Sequence, residues 1–127
     1  MPAALVAGDR ADLYVATRDR AGRSWIARAE LDLGGERPRV AAVDPEPVLR
    51  PGALGAFDDA GVTPSCVVRR GADAYLYYTG WSRAVSVPFH LGIGLAVSRS
   101  GGPFERVSQA PVLGRTAADP FMTASPD

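Results

Sequence analysis

One seven-residue pattern occurs twice in this chain. Asp59-Ala-Gly-Val-Thr63-Pro-Ser65 and Asp119-Pro-Phe-Met-Thr123-Ala-Ser125 both read Asp-x-x-x-Thr-x-Ser, with their aspartates 60 residues apart. Other landmarks return at nearly the same interval: Leu13-Tyr14 as Leu76-Tyr77, and Val48-Leu49 as Val112-Leu113. A period of this length predicts a repeat architecture, in which no unit buries its apolar surface alone and each needs a neighbour. The alternative is a small β-sandwich whose echo is accidental.

The local signals are those of strands. Fourteen Gly and eleven Pro interrupt the chain too often for sustained helical periodicity. Asp12 to Thr17 and Ser24 to Leu31 form an expected hairpin around the turn Asp19-Arg-Ala-Gly22, and Arg39 to Val43 an outer strand. A second group is clearer. Thr63 to Arg69, Ala74 to Thr79, His90 to Ser98 and Phe104 to Val107 are rich in β-branched and aromatic residues and are separated by Gly-containing turns. The glycines of the third run suit a crowded sheet centre. Four antiparallel strands, a crossover and a new first strand are the grammar of a β-propeller blade. The expected fold is therefore all-β, built of antiparallel four-stranded blades and incomplete in this chain. The parsing places the end of one blade and a crossover in 1–56, one full blade in 57–117, and the first strand of the next in 118–127. The first blade is expected to lack its inner strand.

Composition narrows the function classes. Fourteen acidic and fourteen basic residues cancel, and the basic ones, all Arg, are scattered. This is no footprint for nucleic acid and no polybasic membrane patch. Cys66 is the only cysteine and lies in an apolar strand-like run, so it is expected to be a small packed side chain. The N-terminus has no basic stretch followed by an apolar one, so a cytoplasmic location is expected. His90 is the only histidine. Without Cys or His partners it makes a poor metal ligand, and neither metal nor cofactor is expected.

Several strings, in this order, resemble a known family. They are Arg18-Asp-Arg-Ala-Gly-Arg-Ser24, Gly55-Ala-Phe-Asp58-Asp59-Ala-Gly-Val-Thr-Pro-Ser65, Tyr75-Leu-Tyr-Tyr-Thr-Gly-Trp81-Ser, Val87-Pro-Phe, Ile93-Gly-Leu-Ala-Val-Ser98, Gly101-Gly-Pro-Phe-Glu-Arg106 and Asp119-Pro-Phe. Together they are similar to predicted glycosidases of the five-bladed β-propeller type, related to the glycoside hydrolase family 43 and 32 clan. The resemblance runs from about Ala11 to Asp127. It implies a central funnel where an Asp base, a second Asp that tunes the acid and a Glu acid meet. Asp119, followed by proline, matches the middle Asp, and Asp59 holds the equivalent place one blade earlier. The sequence ends before any strand that would supply the Glu, and the pair Asp58-Asp59 leaves open which member faces the funnel.

The chemistry gives these acids a reason to converge. Hydrolysis of a glycosidic bond needs two carboxyl groups at a set separation, one protonated and one ionised, and a third nearby raises the acid's pKa. The expected catalytic residues are Asp119, Asp59 and Asp58, although an Asp at such a place also caps turns. The expected substrate-binding residues are Trp81 and Tyr78 as aromatic platforms, Arg18 as an anion holder, and His90. Packing, or a turn exposed to solvent, is the competing role for each. The expected function is hydrolysis or phosphorolysis of a glycosidic bond by an incomplete set of acids. The alternative is a non-catalytic carbohydrate-binding or assembly module that needs a copy of itself or a complementary chain.

Overall fold

A computed structural model describes residues 2–121. These residues are all-β, with no helix, and form one mixed sheet of eight strands that does not close on itself. The strands are β1 Ala3–Ala7, β2 Arg10–Arg18, β3 Ser24–Asp32, β4 Arg39–Val43, β5 Gly61–Arg70, β6 Asp73–Arg83, β7 Phe89–Ser98 and β8 Phe104–Arg106. Pairing divides them into two antiparallel meanders, β1-β2-β3-β4 and β5-β6-β7-β8. One parallel bridge, Ser24 to Gly61, links β3 to β5. No helix is long and apolar enough to cross a membrane among the described residues.

The second meander matches the strand pattern read from the sequence. The first contains a strand that was not expected. β1 pairs with β2 along its whole length, from Ala3 opposite Tyr14 to Ala7 opposite Arg10. Three of its five residues are alanine, so its β-propensity is low and packing rather than composition fixes it.

Register makes the repeat concrete. Leu13 and Tyr14 face Ala29 and Arg28 across the first meander, while Leu76 and Tyr77 face Ala96 and Leu95 across the second. Ala16 opposite Ile26 corresponds to Thr79 opposite Ile93. The crossover segments then return in the same way. The Leu49 amide and carbonyl bond to Ile26, and those of Leu113 bond to Ile93. The donor–acceptor distances are 2.9 and 3.3 Å in the first place and 2.8 and 3.3 Å in the second. Each meander is thus sealed along its third strand by the segment that follows its fourth.

The core lies between the two meanders. Ala3, Tyr14, Ile26 and Leu49 from the first meet Val62, Val67, Leu76, Tyr78 and Ala96 from the second. These positions follow the two-residue period of a strand. Phe104 of β8 closes one end, its ring edge-on to Tyr14 with centroids 5.7 Å apart. The glycines of β7 are used for crowding, as expected: a Cβ at Gly94 would lie 2.2 Å from the Tyr78 ring. A bulge between Pro64 and Cys66 interrupts the β5–β6 ladder, and beside it the Ser65 hydroxyl meets that of Thr79 at 3.1 Å. Cys66 is half-buried on β5.

Candidate functional site

Of the three expected acids, Asp58 points inward. Its side chain is fully buried, and Oδ2 accepts hydrogen bonds from the Tyr78 hydroxyl at 3.1 Å and the Arg106 guanidinium at 2.8 Å. Arg106 also donates to the Arg50 carbonyl and lies over the Tyr78 ring at 5.8 Å. Phe57 stacks on that ring from another side. Burial, and then the Asp58 charge, push the Tyr78 hydroxyl well above its ordinary range. Two glycines make room for the carboxylate. A Cβ at Gly52 would lie 2.1 Å from Asp58 Oδ1, and one at Gly80 would lie 2.5 Å from Asp58 Cβ. Asp58 and Tyr78, expected to face a substrate, instead belong to the interior. A buried carboxylate is tolerable only with a charged partner, and β8 brings Arg106 to it.

Asp59, one residue on, is half-buried and points the other way. Its Oδ2 accepts the Gly55 amide hydrogen at 2.9 Å, closing the turn that leads into β5. Asp119 is exposed. Its backbone amide donates to the Thr116 hydroxyl at 3.0 Å, and its carbonyl accepts the Thr116 amide hydrogen at 2.8 Å. Among the described residues, no contact joins Asp119 to Asp58 or Asp59. Met122 to Ser125 of the second Asp motif, including Thr123 and Ser125, lie outside the described residues.

The remaining expected residues gather where β5 begins. Trp81 is paired with Gly61, its carbonyl accepts the Ala60 amide hydrogen, and its indole Nε1 donates to the Ser24 hydroxyl at 3.0 Å. The Arg18 guanidinium lies 5.8 Å from the Trp81 ring, and Phe89 packs edge-on against it. Arg83 reaches across to the Ala21 carbonyl at 2.8 Å. His90, opposite Ser82 on the next strand, contacts Arg115 through Nδ1 at 3.2 Å. The structure thus brings Arg18, Trp81 and the Asp59 turn to one end of the junction between the meanders, with His90 beside them. The result is an aromatic and cationic rim with one carboxylate at its edge.

A second feature escaped the sequence reading. A groove of about 540 Å³ opens between the meanders and is lined by residues including Asp12, Tyr14, Arg28, Asp44, Arg69 and Phe104. Arg28 bonds Asp44 through two nitrogens at 2.9 and 3.1 Å and Asp12 at 3.0 Å. Hydrogen bonding to Asp44 raises the Arg28 pKa still further. Burial, aided by the Asp12 charge, pushes the Tyr14 hydroxyl up to about 12. Arg28, Asp12 and Asp44 thus satisfy one another's charge. No short-range motif marks the trio, because it is assembled by register across β2 and β3 and by the segment after β4. Among the described residues, no group of three or more His, Cys, Asp or Glu side chains is placed to hold a metal ion.

No family model matches the chain. Two curated relatives, both described as uncharacterized proteins of Mycobacterium tuberculosis, come from strains CDC 1551 / Oshkosh and ATCC 25618 / H37Rv. Each is 44% identical over 123 residues, which cover 95% of this chain and 40% of the relative. The chain therefore spans about 40% of the length of the curated relatives it matches.

Proposed function

We infer that this chain is two adjacent blades of a glycosidase-like, five-bladed β-propeller, and that its residues form part of a carbohydrate site. The observation that carries the reading is the paired closure of Leu49 on Ile26 and Leu113 on Ile93, which makes the two meanders copies of one unit. Length supports it. With 123 residues making up 40% of each relative, the relatives hold about 300 residues, room for about five units of this period. The rim of Trp81, Arg18 and His90 supplies the apolar platform and hydrogen-bond donors that sugars require. Asp59, at the start of β5, is the carboxylate best placed to join that rim. Asp119 opens the next repeat. Hydrolysis, or phosphorolysis, of a glycosidic bond then needs carboxylates from further units, because two acids must flank one bond. The cytoplasmic setting expected from the sequence is part of this proposal.

A non-catalytic carbohydrate-binding role is the second reading. The locked Asp58–Arg106 pair favours it, because it removes one of the three expected acids from any surface a sugar reaches.

Aryl-glycoside turnover and glycan binding, both measured on the protein with its full set of units, test the two readings. Enzyme activity lost in Asp119→Asn, together with glycan binding lost in Trp81→Ala, is the expected result. Glycan binding with equal inactivity of parent and Asp119→Asn leaves the binding reading in place. Absence of both activities, with the fold intact, removes the carbohydrate assignment.

A further inference from the structure

The two meanders mate through unlike faces. Register makes Tyr14 the counterpart of Tyr77, and Leu13 the counterpart of Leu76. Yet the core joins the Tyr14 face of the first meander to the Leu76 face of the second. The contact is therefore head to tail. It leaves the Leu13 face of the first meander and the Tyr77 face of the second with no further meander packed on them; Leu13 and Tyr77 are half-buried, and Ala11, Ile93 and Val97 are buried on these faces. Such a heterologous interface repeats into a ring where its rotation closes and into an open filament where it does not.

Side-chain exposure shows what is missing. Leu49 is 4% exposed because the second meander covers it, whereas Leu113, its counterpart, is 49% exposed. On the other face, Phe104 packs on Tyr14. Its counterpart is Val40, since Phe104 lies opposite Ser98 and Val40 opposite Leu31, the position matching Ser98. Val40 is 63% exposed. Val43 and Val68 also stand open. Apolar side chains at repeated sites inside and outside one chain mark surfaces built for the same mate.

We propose that this chain binds a second copy of itself head to tail, the Tyr77–Leu113 face of one copy receiving the Leu13–Val40 face of the next. The occupant follows from complementarity: each open face is the counterpart of a face already mated within the chain. Val40 of one copy takes the place against Tyr77 that Phe104 takes against Tyr14. The proposal deepens the repeat reading given above and is independent of what the rim binds, because its readout involves no glycan.

The test is light scattering on the 127-residue chain and on two variants, Val40→Asp and Leu113→Asp. Both sites are exposed, and circular dichroism confirms folding; Val43→Asp stands in for Val40→Asp if that chain does not fold. The parent is expected at two or more times its 13.3 kDa chain mass, and each variant at the chain mass. An equimolar mixture of the two variants is expected to reach twice the chain mass and stop there, since each supplies the one face the other has lost. A parent that stays at its chain mass at high concentration overturns the proposal. So does a mixture that remains monomeric, or a variant pair in which only one substitution disrupts assembly, the sign of like faces meeting.

Discussion

Asp58 and Arg106 meet inside the second meander at 2.8 Å, although 48 residues separate them in the chain. The carboxylate is fully buried and the guanidinium largely so. Replacing Arg106 by Met leaves a charge in an apolar setting, and a loss of about 3 kcal/mol in unfolding free energy is expected. Urea titration checks this. A loss below about 1 kcal/mol would show that solvent reaches Asp58 more freely than the structure indicates.

Gly80→Ala puts a methyl group against Asp58 and the Phe57 ring, at 2.5 and 2.4 Å. The Asp58 Cβ is tied to its own backbone, so overpacking is expected to cost about 2 kcal/mol. Thermal unfolding of the variant is the measurement. Gly102→Ala is a useful comparison, because its nearest neighbour is a single carbonyl at 3.1 Å, and a smaller change is expected.

The turn role of Asp59 separates charge from capping. Asn retains an oxygen for the Gly55 amide, whereas Ala does not. Asp59→Asn is expected to fold with nearly parental stability, and Asp59→Ala to lose about 1 kcal/mol. If turnover is found in an assembled protein, Asp59→Asn isolates the contribution of the charge, with stability measured alongside.

Alkaline pH tests the buried hydroxyl groups. Tyr14 is pushed up to about 12 and Tyr78 is raised further, while an unfolded tyrosine ionises near 10. The folded chain thus holds these protons after the unfolded chain has released them. Their contribution is complete below about pH 10 and is lost as pH rises toward 12. Unfolding free energy is expected to fall across that window, with Tyr14 responsible for about 1 kcal/mol at pH 11. Urea titrations at pH 9 and 11, repeated on Tyr14→Phe, are expected to give the variant the shallower decline.

Strands rich in aromatic and β-branched residues, such as Ala74 to Thr79, were legible from their composition. β1 was not, because Ala3-Ala-Leu-Val-Ala7 carries little strand signal until β2 pairs with it. The repeat of Leu49 at Leu113 was visible as a spacing. Its meaning, closure of a third strand, lies in backbone bonds to Ile26 and Ile93 that spacing alone does not reveal. At the candidate site, the adjacent Asp58 and Asp59 are chemically identical in the sequence. Their opposite directions depend on Arg106, 48 residues away, and on the space left by Gly52 and Gly80. Tyr78 reads as a platform in the sequence, yet strand alternation turns it inward beneath Gly94 while Trp81 reaches Ser24. The Arg28 trio went unseen because its members meet only once β2, β3 and the chain after β4 are in place.

The strap formed by Leu49 across Ile26 has a consequence for synthesis. A sheet completed by the segment downstream of it stays unsealed until that segment has left the ribosome. Its second side stays bare until the following hairpin emerges. Until the chain through Leu49 is free to fold back, the first meander keeps an open third strand and a bare apolar side.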